Sequence, residues 1–216
     1  MEALLKNTIH LNWITCLYVI AFILLAILRK INPYHFKNFL LLIVSDKYIK
    51  THKEDTSKKR LHYSLLLFQL VITPLMMQIS LTRLNILPNN TFITYCKLLA
   101  FYLIFYYTKY LLEKGSSIVF NEKIKISSYI FQKQAYFNYI SVCLFPILLL
   151  LTYPVVNIPN FTIYILLFSY LFFTTLGTTL AIINHRSFFY SKPYYFILYL
   201  CAFEIAPYIL SFFLIK

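Results

Sequence analysis

The sequence predicts an all-α fold, a polytopic bundle of six transmembrane helices built as a single domain over its 216 residues. Three observations predict it. Hydrophobic residues make up 60% of the chain and charged residues 12%, about half the charged share of an ordinary soluble domain, and the mean hydropathy is +0.70. A soluble core of this size has no room for so much apolar surface. The apolar residues fall in long unbroken runs, several reaching the ~20 residues that a helix needs to cross hydrocarbon. The basic residues gather between alternate runs, which is how a membrane bundle records its orientation.

The runs are continuous rather than alternating, so they read as helices, the structure that satisfies every backbone group within its own segment. The first span is expected at 11–28. It ends in Arg29-Lys30 with no small-residue cleavage site, so it reads as a retained span and not a signal peptide. The loop at 31–60 is the longest. Phe36, Phe39, Leu40, Ile43 and Val44 recur at helical spacing there, predicting a short amphipathic helix at 35–49. Two placements fit it: flat on the anionic inner leaflet beside Lys37, Lys47 and Lys50, or packed against the bundle. The stretch 50–60 reads as a solvated loop. Further spans are expected at 61–81, 92–112, 136–153, 162–183 and 194–215. Pro74 and Pro146 fall inside the second and fourth. The short loops at 82–91 and 154–161 carry N-x-T sequons at Asn89 and Asn160, which read as chance occurrences close to the membrane.

Orientation follows from the cations. With the loops after spans one, three and five placed on the cytoplasmic side, that side holds Arg29, Lys30, Lys37, Lys47, Lys50, Lys53, Lys58, Lys59 and Arg60. It also holds Lys109, Lys114, Lys123, Lys125, Lys133, Arg186 and Lys192. The opposite side keeps Lys6, Arg83, Lys97 and Lys216. Sixteen against four puts both termini on the non-cytoplasmic side, because an even number of spans returns the chain to the side it left. This distribution also argues against nucleic-acid binding, despite a formal net charge of +13.

Polar residues inside the spans are the candidates for function. Glu204 lies nine residues beyond Tyr195 in the sixth span, ~13 Å deep at helical rise. An ionised carboxylate costs at least ~2.5–3.5 kcal/mol there, so it is expected to be protonated, paired or facing water. Pro207 follows three residues later and disturbs the same turn. Lys97 is the preferred partner for Glu204. Lys109 is a second candidate, with Glu113 competing for it at i+4. Gln69, with Thr73 and Ser80, is expected to make interhelical hydrogen bonds. Gly177 and Ala181 form a small-xxx-small pair that allows close helix approach.

The chain has no Walker loop, GxGxxG, HExxH or GxSxG sequence. Its seven acidic residues form no paired set for Mg²⁺, and its five histidines and four cysteines lack metal spacing. No cofactor is expected. The 20 tyrosines and 21 phenylalanines suit interfacial anchoring and lipid contact.

The closing segment 192–207, with Cys201, Glu204, Ile205 and Pro207, resembles the end of a Bacteroidota membrane family named domain of unknown function 4271. Asn32-Pro33 after the first span, and Phe131-Gln132-Lys133 leading into the Pro146 helix, extend the likeness over nearly the whole chain. The resemblance implies a bacterial inner membrane and brings no activity with it. Missing catalytic motifs and minimal loops lead to the expectation of a non-enzymatic accessory or assembly subunit of an envelope complex, with lipid and other membrane proteins as its partners. The alternative is a small proton- or ion-coupled transporter using Glu204.

Overall fold

A computed structural model describes residues 2–42, 56–87, 91–119, 123–153 and 161–184. They form six helices, and no strand occurs among the described residues. The helices are α1 (Glu2–Ile31), α2 (Pro33–Leu40), α3 (Thr56–Arg83), α4 (Phe92–Val119), α5 (Lys123–Thr152) and α6 (Phe161–Asn184). The sixth expected span, 194–215, lies outside the described residues together with Glu204 and Pro207.

Among the described residues, four stretches are long and apolar enough to cross a membrane: Trp13–Ile31, Arg60–Arg83, Ser127–Thr152 and Phe161–Asn184. Helix α4, where a span was expected at 92–112, is just as long at 28 residues. Its five tyrosines, with Lys97, Lys109, Glu113 and Lys114, dilute its hydropathy below that of the other four. Helix α5 begins at Lys123, well before the apolar run expected from residue 136. Polar side chains ended the apolar pattern there without ending the helix, because Gln132, Lys133 and Gln134 turn inward and are buried.

Burial ranks the helices. Within their span stretches α3 and α5 are 61% and 50% buried, against 22% for α1 and 17% for α6. So α3 and α5 form the centre, and the others pack around them with apolar flanks left outward for lipid. One core cluster joins Ile14, Tyr18 and Ala21 of α1 to Phe68, Ile72, Leu75 and Met76 of α3 and to Ile140, Leu144 and Leu148 of α5. A second joins Leu28 of α1, Phe36 and Phe39 of α2, Leu61 and Leu65 of α3, Tyr129 and Ala135 of α5 and Ala181 of α6.

Local chemistry sets the joints. Pro33 opens α2, where its missing N–H is no loss, and Asn32 ties the corner by donating to the Leu28 carbonyl at 3.1 Å. The described part of the amphipathic helix expected at 35–49 ends at Leu40 and a turn, and its Phe36 and Phe39 point into the bundle. Helix α3 ends in a Schellman motif: Asn85 takes φ 58° and donates to the Thr82 carbonyl, while Ile86 donates to Leu81. An asparagine tolerates that left-handed position better than most residues. Helix α6 approaches α5 at Gly177, where an added Cβ would lie 2.8 Å from Cβ of Tyr136. The small residue is what lets the two backbones come that close.

Candidate functional site

Helix α4 is inverted relative to a helix of a soluble protein. Tyr95, Tyr102, Tyr106, Lys109 and Glu113 recur at spacings of seven, four, three and four, which places them on one narrow face. That face looks onto α3 and α5. The opposite face carries Ile93 (67% exposed), Ile104 (66%) and Leu111 (47%). Tyr95 and Glu113 are eighteen residues apart, so the polar face rises ~27 Å, close to the ~30 Å of a hydrocarbon core.

The facing helices answer in kind. On α3, His62, Gln69, Thr73 and Ser80 share one buried face, and on α5 Gln134, Asn138 and Ser141 do the same. Their hydrogen bonds form a directed chain. The Tyr106 hydroxyl donates to Gln134 Oε1 at 3.2 Å. Gln134 Nε2 donates to Gln69 Oε1 at 2.6 Å and to Asn138 Oδ1 at 3.0 Å. Gln69 Nε2 donates to the Tyr102 hydroxyl at 3.2 Å, which Thr73 and Tyr170 also reach. Asn138 Nδ2 approaches the His62 carbonyl at 3.5 Å. Nearer the α3 end, the Tyr95 hydroxyl donates to the Val71 carbonyl at 3.2 Å, three residues before Pro74 interrupts the ladder. Helices α3, α4 and α5, with Tyr170 of α6 at the edge, are thus joined by side-chain amides and phenol hydroxyls in a buried interior, where an unmet polar group is costly.

At the other end of the seam stands an ion pair. Lys133 Nζ of α5 donates to Glu113 Oε1 of α4 at 2.5 Å, and both residues are buried, at 3% and 5% exposure. Lys133 also lies over the Tyr129 ring at 5.7 Å, and Lys109 over the Phe137 ring at 6.0 Å. From sequence, Glu113 is the one carboxylate that α3, α4, α5 and α6 contain.

A half-turn around α5 from Gln134, the chemistry differs. Gln132 is fully buried, and neither its Nε2 nor its Oε1 has a hydrogen-bond partner among the described residues. By helical spacing it shares a face with Tyr129, Ala135 and Tyr136, which belong to the apolar second cluster. No group of three or more His, Cys, Asp or Glu side chains suited to a metal occurs among the described residues. Cys16, Cys96 and Cys143 are free thiols on the exposed surface.

Among the residues singled out from sequence, Gln69 and Lys109 lie in the seam. Gly177 and Ala181 lie at the contact of α6 with the rest of the bundle. Lys97 does not join the seam: it is exposed on α4. Glu204 and Pro207 are outside the described residues. Sequence reasoning missed Gln134, Asn138, Tyr102, Tyr106 and Lys133. The charge count places Lys133 in a cytoplasmic loop, and the structure puts it inside α5. Composition alone suggests interfacial and lipid-facing roles for the tyrosines, and the structure turns Tyr95, Tyr102 and Tyr106 inward instead. A usable signal existed, since Gln134, Asn138 and Ser141 repeat at i, i+4 and i+7 and so share a face.

The sequence pattern of the family described as Domain of unknown function (DUF4271) matches residues 14–215. The chain belongs to that family. No curated protein and no solved structure matches it.

Proposed function

We propose that this member of the DUF4271 family is a non-enzymatic, six-span protein of a bacterial inner membrane, with both termini on the non-cytoplasmic side. In this reading it serves as an accessory or assembly subunit of a cell-envelope complex. The observation that carries it is the saturation of the central amides. Gln69, Gln134 and Asn138 direct their hydrogen bonds to one another, to tyrosine hydroxyls and to backbone. Amides arranged that way hold helices in register, which is what a scaffold needs of them. The topology draws support from the sixteen-to-four distribution of cations.

Two experiments test it. Reporter fusions after residue 45 and at the C-terminus should report opposite compartments. Extraction in mild detergent should recover a reproducible partner; a monodisperse protein without one, in native membranes as well, overturns the subunit reading. A second reading, a small proton- or ion-coupled transporter, is favoured by the buried Glu113–Lys133 pair, because ionisable groups at membrane depth are rare and mark ion pathways and proton relays. Glu204→Gln at normal abundance separates the two: lost transport supports the second reading, and an unchanged phenotype ends it.

A further inference from the structure

We infer that the corner between α1 and α2 is a binding site for an anionic phospholipid, with cations for the phosphate and an isoleucine ridge for an acyl chain. Helix α2 has two faces. Phe36 and Phe39 are wedged into the second core cluster, while Tyr34 (64% exposed), Lys37, Leu40 and Leu41 face outward. The wedge fixes the height of α2 in the membrane. Its core neighbours are Leu28, at the end of one span stretch, and Leu61, at the start of another. Tyr34, Lys37 and Leu41 therefore sit where headgroups meet acyl chains, the level that tyrosine and lysine favour.

Four exposed cations rim this corner: Arg29 and Lys30 in the last turn of α1, Lys37 on α2 and Arg60 at the start of the α3 span stretch. None of the four is held in an ion pair among the described residues, and no acidic residue lies in the described part of the chain from Ala3 to residue 42 or in α3. On α1, Ile23, Ile27 and Ile31 repeat at i, i+4 and i+8. All are about half exposed and lead along one ridge to Lys30. A headgroup phosphate meets Arg29, Lys30 and Lys37, Tyr34 lies beside the glycerol, and an acyl chain lies along the isoleucines. Basic corners of this kind between membrane helices select anionic headgroups. A free phosphate ion would gain the cations but nothing from the ridge. The assignment to the inner leaflet rests on the topology proposed above; the corner itself does not.

The test uses the full chain in detergent, where no sidedness exists, so its failure is separate from a failure of the topology. Lipid retention is read by native mass spectrometry after adding phosphatidylglycerol or phosphatidylcholine. Phosphatidylglycerol is expected to remain bound well beyond phosphatidylcholine. Each of Arg29→Gln, Lys30→Gln and Lys37→Gln lowers that retention about fivefold, and the triple variant roughly a hundredfold, at about 1 kcal/mol per cation. Lys97→Gln, an exposed cation on α4, leaves it unchanged. Because all these side chains are exposed, the variants are checked for an unaltered melting temperature. Equal retention of the two lipids, an unaffected triple variant, or displacement of the lipid by equimolar inorganic phosphate would each overturn the site.

Discussion

The Glu113–Lys133 pair offers the sharpest test of the seam. At 2.5 Å, with 3% and 5% exposure, the two charges attract by about 6–7 kcal/mol before desolvation at an effective dielectric of 20. Desolvation of both ions offsets most of that, so the net value of the pair is small. Removing one partner is different, because the other stays buried with its charge uncompensated, at a cost of about 3–5 kcal/mol. Glu113→Gln and Lys133→Met should therefore each destabilise the protein by about 3 kcal/mol or more. The double variant, which removes both charges, should fall well short of their sum. Glu113→Gln should be the worse of the two singles, since Lys109 lies one turn away on the same helix and loses its nearest carboxylate in sequence. SDS titration of the purified protein in micelles measures all four species. A coupling energy below ~0.5 kcal/mol would refute the reasoning, because additivity is what an exposed pair gives.

Three further outcomes follow from the packing and the polar groups. Gly177→Ala should cost about 1–3 kcal/mol, since its Cβ would meet Cβ of Tyr136 at 2.8 Å, and the base of a ring cannot swing aside. Gly115→Ala, with nothing within 4 Å of its added Cβ, should instead stabilise by up to ~1 kcal/mol; thermal melts of the two variants should move in opposite directions. Gln134→Leu breaks three side-chain hydrogen bonds and should cost about 2–4 kcal/mol in SDS titration, whereas Tyr106→Phe, which breaks one of them, should cost under ~1 kcal/mol. Gln132→Met removes a fully buried amide that has no partner and should raise stability by about 1–3 kcal/mol; a drop in melting temperature would show that the amide is used.

How much of this was legible in the sequence depends on which force decides each feature. Helix class and the four long apolar stretches follow from solvent preference, which is local and additive, so composition and run length reveal them. The close approach of α6 is legible for a related reason: Gly177 and Ala181 are small residues at helical spacing in a chain with only two glycines. The seam is another matter. Whether Gln134 faces lipid or Gln69 depends on the rotation of α5 about its axis, which is fixed by Gly177 on one flank and by α3 on the other. A reading that treats polar residues as the end of a span loses them for that reason. The position of Lys133 shows the cost: its charge suggested a loop, while its Glu113 partner, twenty residues earlier, lets it remain inside the helix.

The polar stripe of α4 also accounts for an apparent contradiction. Tyrosines and charges dilute the helix, yet its outer face carries the same bare isoleucines and leucines as α6. Lipid offers no hydrophobic driving force that would press a helix onto its neighbours, since hydrocarbon is as good a solvent for isoleucine as a protein interior is. An apolar helix such as α6 must therefore be held chiefly by close van der Waals contact, and it has Gly177 for that purpose, with Tyr170 adding one polar contact to Tyr102. Helix α4 lacks a glycine in contact with a neighbour, Gly115 having nothing within reach. Its attachment falls instead to Tyr95, Tyr102, Tyr106 and Glu113, each bonded to α3 or α5. If that division is right, the two helices answer to different perturbations: enlarging a side chain at Gly177 should loosen α6 and spare α4, and removing the Tyr95 and Tyr106 hydroxyls or the ion pair, and not the Tyr102 hydroxyl that Tyr170 of α6 shares, should loosen α4 and spare α6. Hydrogen exchange resolved by helix distinguishes these, and uniform loosening in both cases would mean that the bundle opens as one unit.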